Sequence, residues 1–202
     1  KKKKKDNEKQ SKINMDALEE FTTVLAKGVN DGNIPIEVAN MLMSGAFSTT
    51  NGLVKIAAPF KYVSKIFKNG IREEHNPPAS VIGGTLMWAV QNNAVKDIFP
   101  EIRKNYYQTQ LSNADDTLLN KNYKSTAPFP ILFNPAFRLS ASGVDLNTII
   151  NPVTGKTMAE EQNVAVPIGT KMTPELLKAQ TDLMLDQLKK QNLRSKRCTK
   201  RN

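Results

Sequence analysis

The sequence predicts a mainly α-helical protein: a single helical body of five or six helices, an irregular proline-rich segment, and basic arms at the N- and C-termini. Three observations support this fold class. Apolar residues recur at helical spacing through most of the first 111 residues. Prolines then interrupt residues 112–172, and we expect at most a small β-hairpin, near 146–157, in the whole body. Lysine and arginine are concentrated at the two ends.

These observations divide the 202-residue chain into five segments. They are a basic N-terminal arm (1–13), a helical core (14–111), an extended proline-rich segment (112–172), a C-terminal helix (173–193) and a basic C-terminal tail (194–202). This length suits one domain of about 150–175 residues with tails. Because no stretch of about 18 apolar residues occurs, the sequence predicts no membrane span.

The first two predicted helices are short and amphipathic. Asp16 and Glu19 have the spacing of a capping box, so we place a helix at about 16–27. Pro35 is expected at the first position of the second helix, whose apolar stripe continues to Gly45.

The third helical segment, at about 53–69, is expected to be kinked or split by Pro59. Lys61, Lys65 and Lys68 fall at i, i+4 and i+7 on one of its faces. This basic stripe has two interpretations that the sequence leaves open. It is either an ordinary solvated helix face or a ridge that contacts phosphates.

Two more helices complete the predicted core. One, at about 78–94, opens on a pair of prolines and is apolar on most sides, so we expect it to be the most buried element. Gly83 and Gly84 lower its helix propensity, and they are expected where another backbone packs closely or where the helix breaks. The other helix is expected to open at Pro100 and to end near Gln110.

The segment 112–172 is expected to be largely extended. Its residues 151–155 predict a tight hairpin turn with Gly155 in the left-handed conformation. Sixty irregular residues are unusual in a lone domain, so we expect part of this segment to pack on an adjacent copy of the chain, burying about 1,000 Å² or more. The apolar residues expected there are Phe129, Ile131, Leu132, Phe133, Phe137, Ile149 and Ile150.

Charge is divided unequally between the ends and the body. Seven lysines against Asp6 and Glu8 give residues 1–12 a net charge of +5, and residues 189–202 carry seven cations and no acid. Since the chain total is +10, the 176 residues between them carry −2. A polyanion that contacts both ends is the simplest partner. The predicted nucleic-acid-binding residues are Lys1, Lys2, Lys3, Lys4, Lys5, Lys9, Lys12, Lys61, Lys65, Lys68, Arg194, Lys196, Arg197, Lys200 and Arg201.

The sequence lacks the motifs of catalysis and cofactor binding. Residues 155–157 resemble the end of a phosphate-binding loop, but Ile150 stands where that motif requires glycine. One histidine and one cysteine are too few for a usual zinc site, and we expect His75 to cap a turn. We therefore expect no enzyme activity, no cofactor and no metal.

Three further expectations concern the compartment and the processing of the chain. The lone Cys198 cannot form an internal disulfide, which favours a reducing compartment or an assembly that is stabilised by contacts between subunits. The chain begins with Lys1 rather than methionine, so we expect a cleaved product or the ordered part of a longer one. No apolar run follows the first lysines, and we expect no signal peptide.

The leading hypothesis is a structural nucleic-acid-packaging protein: a viral coat, nucleocapsid or core subunit that binds phosphates non-specifically and self-assembles into an oligomer or polymer. RNA is the expected nucleic acid, and the virion and the host cytoplasm are the expected locations. One alternative is a component of the ribosome or another ribonucleoprotein, with basic tails threading into RNA. Another is a virion or machine subunit whose arms dock on acidic protein neighbours without nucleic acid. The tails could also serve only solubility or nuclear import.

Overall fold

The structure, a computed structural model, describes residues 2–66, 70–124 and 136–162, with side chains from Glu8 onward. These residues are mainly helical and include a small mixed sheet. Their helices are α1 (Lys2–Asn30), α2 (Ile36–Ser48), α3 (Leu53–Ala57), α4 (Ala79–Gln91), α5 (Val95–Asn105), α6 (Asn113–Tyr123), α7 (Ala136–Ala141) and α8 (Met158–Gln162). Their strands are β1 (Phe60–Ser64), β2 (Ile71–Asn76), β3 (Tyr107–Ser112) and β4 (Ile149–Ile150).

Helices α1 to α5 enclose the first hydrophobic core. Each contributes the apolar side of an amphipathic pattern, and the fully buried members include Leu18, Met43, Ile82, Leu86 and Phe99. The helix expected to be the most buried element is α4, which has six buried residues, the largest number in any described helix. By fraction α7 is more buried, with five of its six residues.

The sheet has the strand order β2-β3-β1-β4. Strand β3 pairs antiparallel with β2 and parallel with β1, while β1 pairs antiparallel with β4. The register of the parallel pair shifts between Phe60 and Tyr62, so Lys61 lies in a bulge.

A second core forms between one sheet face and the chain that follows β3. It contains Tyr62, Tyr107 and Leu111 from the sheet, Leu119 from α6 and Leu139 from α7. Leu146, Ile149 and Met158, near the end of the described chain, also belong to this core.

The prediction of a helix over 53–69 is wrong beyond Ala57. Ala58 is extended at φ −70° and ψ 117°, as a residue before proline tends to be, and the chain after Pro59 forms β1. Lys61 and Lys65 therefore do not form a helical stripe, and Lys68 lies outside the described residues. The aromatic and β-branched residues of β1 favour a strand, and pairing with β3 provides its hydrogen-bond partners.

The helix predicted from Pro100 to Gln110 is also misplaced. Pro100 lies inside α5, which begins at Val95 and ends at Asn105, and residues 107–112 form β3. The expectation of at most one small hairpin is therefore wrong, because the sheet has four strands.

The helix predicted at 16–27 lies within the longer α1. Asp16 is not its N-cap, since α1 begins at Lys2 and runs through the segment predicted as an arm. Asp16 and Glu19 instead form ion pairs with Arg103 of α5. The second helix is confirmed, although Pro35 is its N-cap rather than its first residue.

The segment predicted as extended contains three helices among its described residues, α6, α7 and α8. Helix α6 has a clear start signal, because the Ser112 hydroxyl caps the amide of Asp115 at 3.1 Å. The turn at 151–155 is confirmed: Gly155 has φ +72°, and its amide donates to the Asn151 carbonyl at 2.8 Å.

The expectation that the apolar residues of this segment pack on another copy is wrong for Phe137 and Ile149. Both side chains are buried within the chain itself. The predicted contact residues in 129–133 and the predicted helix at 173–193 lie outside the described residues.

The two glycines of α4 provide a matched stability test. A Cβ at Gly83 would overlap the ring of Phe47 on α2, whereas a Cβ at Gly84 would meet no atom within 4 Å. We expect Gly84→Ala to raise the free energy of unfolding by about 0.5–1 kcal/mol through helix propensity. Gly83→Ala should lower it by about 1–3 kcal/mol through overpacking. Urea denaturation measures both, and equal signs for the two variants would contradict the packing of α2 on α4.

Candidate nucleic-acid interface

Two of the predicted nucleic-acid-binding side chains lie on α1. Lys9 and Lys12 are exposed, and neither forms an ion pair with a described residue. The backbone of residues 2–5 belongs to the same helix. The other terminal cations predicted to bind, Lys1, Arg194, Lys196, Arg197, Lys200 and Arg201, lie outside the described residues.

Lys61 has a different environment from the exposed lysines of α1. Its ammonium lies 5.2 Å from the ring centroids of both Tyr62 and Tyr107, within the range of a cation–π interaction. Burial lowers the pKa of Lys61, while the charge of Glu161 opposes that shift. Because these neighbours already hold it, Lys61 is less available for a phosphate than the sequence alone indicated. Lys65 is exposed just after β1.

The Glu161 carboxylate is the central hydrogen-bond acceptor of a polar cluster that links α8 to the sheet. Its carboxylate accepts hydrogen bonds from the Tyr62 hydroxyl at 2.8 Å, from the Asn151 amide at 3.0 and 3.1 Å, and from the Thr154 hydroxyl. Gln162 donates to the Tyr62 hydroxyl at 2.7 Å. These bonds use most of the acceptor capacity of the carboxylate, so the cluster stabilises the structure rather than presenting a free catalytic acid.

The pKa of Glu161 follows from this cluster. Burial raises the pKa, but hydrogen bonds from Thr154, Asn151 and Tyr62 and the charge of Lys61 outweigh burial, so the pKa lies below its ordinary value of 4.5. Burial raises the pKa of Tyr62, which keeps its hydroxyl protonated as a donor.

His75 does not cap a turn, and that prediction is wrong. It lies in β2, where its Nε2 atom is 3.1 Å from the Lys55 carbonyl oxygen and 3.3 Å from the Gln108 side-chain amide. Burial lowers the pKa of His75, and the bond to the Lys55 carbonyl opposes that shift. These contacts join β2 and β3 to the end of α3.

A groove of about 430 Å³ lies between α1 and the sheet face opposite the second core. Glu8 and Asn14 of α1 line one wall, and Phe60, Glu73 and Gln108 line the sheet side. The two carboxylates make this groove unfavourable for phosphate. The exposed lysines of α1 are electrostatically more favourable positions for an anion than this groove.

Sequence reasoning missed the buried Arg138, whose side chain is 0% exposed. It pairs with Glu74 at 2.7 Å and donates to the carbonyl oxygens of Tyr123, Lys124 and His75. The only sequence signal was an arginine between apolar residues in Ala136–Ala141. This arginine is structural, because protein carbonyls and a carboxylate surround it.

Within the described ranges, no three histidine, cysteine, aspartate or glutamate residues are grouped so that they could hold a metal ion. No helix in this part of the chain has both the length and the apolar character needed to cross a membrane. Comparisons with protein-family models, with curated proteins and with solved structures found no match to this chain.

The Glu161 cluster predicts how the stability of the fold depends on pH. Because the folded pKa is lowered, the charged carboxylate stabilises the fold above pH 4.5, and that stabilisation is lost as pH falls through the folded pKa. Glu161→Gln should lower the free energy of unfolding by about 1–2 kcal/mol at pH 7 and make progressively less difference below pH 4.5. Chemical denaturation across pH measures this. Glu20→Gln is the control, since Glu20 is exposed on α1; an equal loss in both variants would contradict the role of the cluster.

Proposed function

We propose that this protein is a structural nucleic-acid-packaging subunit that holds the phosphate backbone through its cationic ends. The observation that carries the proposal is the segregation of charge. Residues 1–12 carry +5 and residues 189–202 carry only cations, while the long stretch between them carries −2. A near-neutral body with cationic ends suits a polyanion that is bound without sequence readout.

Three cations of the body pair with carboxylates among the described residues: Lys27 with Asp31, Arg103 with Asp16 and Glu19, and Arg138 with Glu74. Other body lysines, such as Lys96 and Lys104, are exposed and form no ion pair there, so the proposal depends on how many cations the ends carry rather than on ion pairing in the body. Lys9 and Lys12 have no such partner among these residues and are exposed. A phosphate can therefore approach them without displacing a carboxylate, and the release of its counterions favours binding.

Within this proposal the chain is a viral coat, nucleocapsid or core subunit that binds RNA and polymerises, in the virion and the host cytoplasm. The two alternatives predict different behaviour. A ribonucleoprotein component would bind RNA as a single copy without self-contact. A subunit that docks on acidic proteins would keep its partners after nuclease treatment, so capture of partners with and without nuclease separates it from the other two classes.

The salt dependence of binding tests the proposal. If six to ten phosphates are neutralised, the slope of log K against log salt should be about −4 to −9, depending on strandedness. Fluorescence anisotropy with single-stranded RNA of mixed sequence measures the slope. Deletion of residues 1–12 and 194–202 together should flatten it strongly, and a slope near zero in the intact chain would contradict the proposal.

A double substitution locates the contacts on the described helix. Lys9→Gln with Lys12→Gln should reduce the size of the slope by about 1–2, because each phosphate contact contributes about 0.7–0.9. Lys96→Gln with Lys104→Gln removes the same charge from exposed positions of α5 and should leave the slope nearly unchanged. Equal effects of the two pairs would show that net charge alone, rather than the N-terminal end, governs binding.

A further inference from the structure

The groove between α1 and the sheet offers a ligand more acceptors than donors. Glu8 and Glu73 supply two carboxylates, and neither forms an ion pair with a described residue. Among the described residues, no lysine or arginine lines the groove. Its uncharged polar side chains already donate hydrogen bonds to protein acceptors, and they are Gln10, Ser11, Asn14, Gln108 and Gln110. These groups suit a ligand that is positively charged and donates hydrogen bonds.

The rest of the groove lining is apolar. Phe60 and Ile56 remain 36% and 39% exposed, although both are large hydrophobic side chains. An aromatic ring near carboxylates is a favourable surface for a guanidinium or ammonium group, and apolar side chains accommodate the aliphatic stem of arginine or lysine. The volume of about 430 Å³ is in the range of protein ligand sites. The groove therefore fits the side chains of a basic peptide.

The cation that would fill this groove is not one of the exposed lysines of α1. Lys9 and Lys12 do not line the groove, and neither pairs with Glu8 or Glu73. The largest set of cations uninterrupted by an acid is in residues 189–202, which carry seven. Charge complementarity therefore points to the C-terminal end of the chain as the occupant.

The chain beyond α8 is long enough to reach the groove. Thirty-one residues, 163–193, separate α8 from the basic C-terminal tail. A segment of that length spans at most about 100 Å, which is about three times the diameter of a small domain. A tethered tail is present at an effective concentration of about millimolar, so a contact that is weak for a free peptide is well occupied within one chain.

We propose that the basic C-terminal tail, residues 194–202, occupies the groove of its own chain when no nucleic acid is bound. Its cationic side chains pair with Glu8 and Glu73, and a guanidinium lies beside the ring of Phe60. Nucleic acid presents many more negative charges than the two carboxylates do, so it displaces the groove from the tail. This inference deepens the proposed function and rests on it: the groove regulates when the tail is available to phosphate.

Carbodiimide cross-linking of the full chain tests the contact without nucleic acid. The reagent joins a lysine amine to a glutamate carboxylate as an amide and itself takes up the water that is lost, and mass spectrometry locates the joined peptides. We expect the tail lysines to be linked to Glu8 or Glu73 at least about fivefold more often than to Glu20, an exposed acid on the same helix as Glu8. Equal linking of the three carboxylates would overturn the proposal.

A mixture of unlabelled and isotope-labelled chains shows whose groove the tail enters. Links within one chain join peptides of the same isotope composition, whereas links between copies also join unlike peptides. We expect the links from the tail to Glu8 or Glu73 to be almost entirely of the first kind. Unlike pairs as frequent as like pairs would mean that the tail enters the groove of a second copy, and would overturn the contact within one chain.

The affinity for single-stranded RNA tests the regulation. Glu8→Gln with Glu73→Gln removes the groove carboxylates and frees the tail. Glu20→Gln with Glu37→Gln is the control, because it changes the net charge equally at exposed positions outside the groove. If the tail is free in about a tenth to a third of the wild-type molecules, the groove pair should raise the affinity about threefold to tenfold more than the control pair does. Equal effects would contradict the masking of the tail.

The same two pairs in a full-length chain with a neutralised tail separate the groove contact from net charge. In this background glutamine replaces the tail cations Arg194, Lys196, Arg197, Lys200 and Arg201. The groove pair and the control pair should then raise the affinity equally, because no cationic tail remains to be released. A difference that persists in this background would show that the groove acts on RNA binding without the tail, and would overturn the proposal.

Failure of the proposed function gives a separate result. In that case the wild-type chain would show no salt-dependent binding to RNA, and the cross-links would test the contact alone. Links from the tail to Glu8 and Glu73 would still support the occupied groove. Their absence from the wild-type chain overturns it whether or not RNA binds.

Discussion

The second half of the described structure depends on the buried guanidinium of Arg138. It has lost its hydration, and protein groups replace it: the Glu74 carboxylate and carbonyl oxygens from β2 and from the end of α6. Burial lowers the pKa of Arg138 and raises that of Glu74, while their mutual attraction opposes both shifts. Removing either partner would leave an uncompensated buried charge, which is far costlier than losing a surface ion pair. The pair therefore fixes α7 against the sheet.

Strand β3 joins the two cores. Its neighbour Tyr106 belongs to the first core and donates to the Val54 carbonyl at 2.9 Å, whereas Tyr107 belongs to the second core and packs edge-on against Tyr62 at 5.1 Å. Consecutive side chains of extended backbone point to opposite sides, so two adjacent tyrosines can anchor both cores. The helices and the sheet are thereby held as neighbours without a long linker.

In the proposed function, phosphate would contact exposed lysines such as Lys9 and Lys12, which have no carboxylate partner among the described residues, and binding there would depend on salt. Lys61 differs from these lysines, because Tyr62 and Tyr107 hold it at the sheet.

The sequence by itself determined the helical character of the chain and the segregation of its charge. It also determined local features with a short-range cause, namely helix α4 and the turn at 151–155, where Gly155 has a positive φ. Only the tertiary structure decided that residues 60–64 and 107–112 are strands, since their parallel pairing joins positions more than forty residues apart. The spacing of the lysines after Pro59 fits a helix as well as a strand, and hydrogen bonding to the distant strand β3 decided in favour of the strand. The burial of Arg138 likewise depends on which neighbours the fold supplies, and a linear pattern does not contain that information.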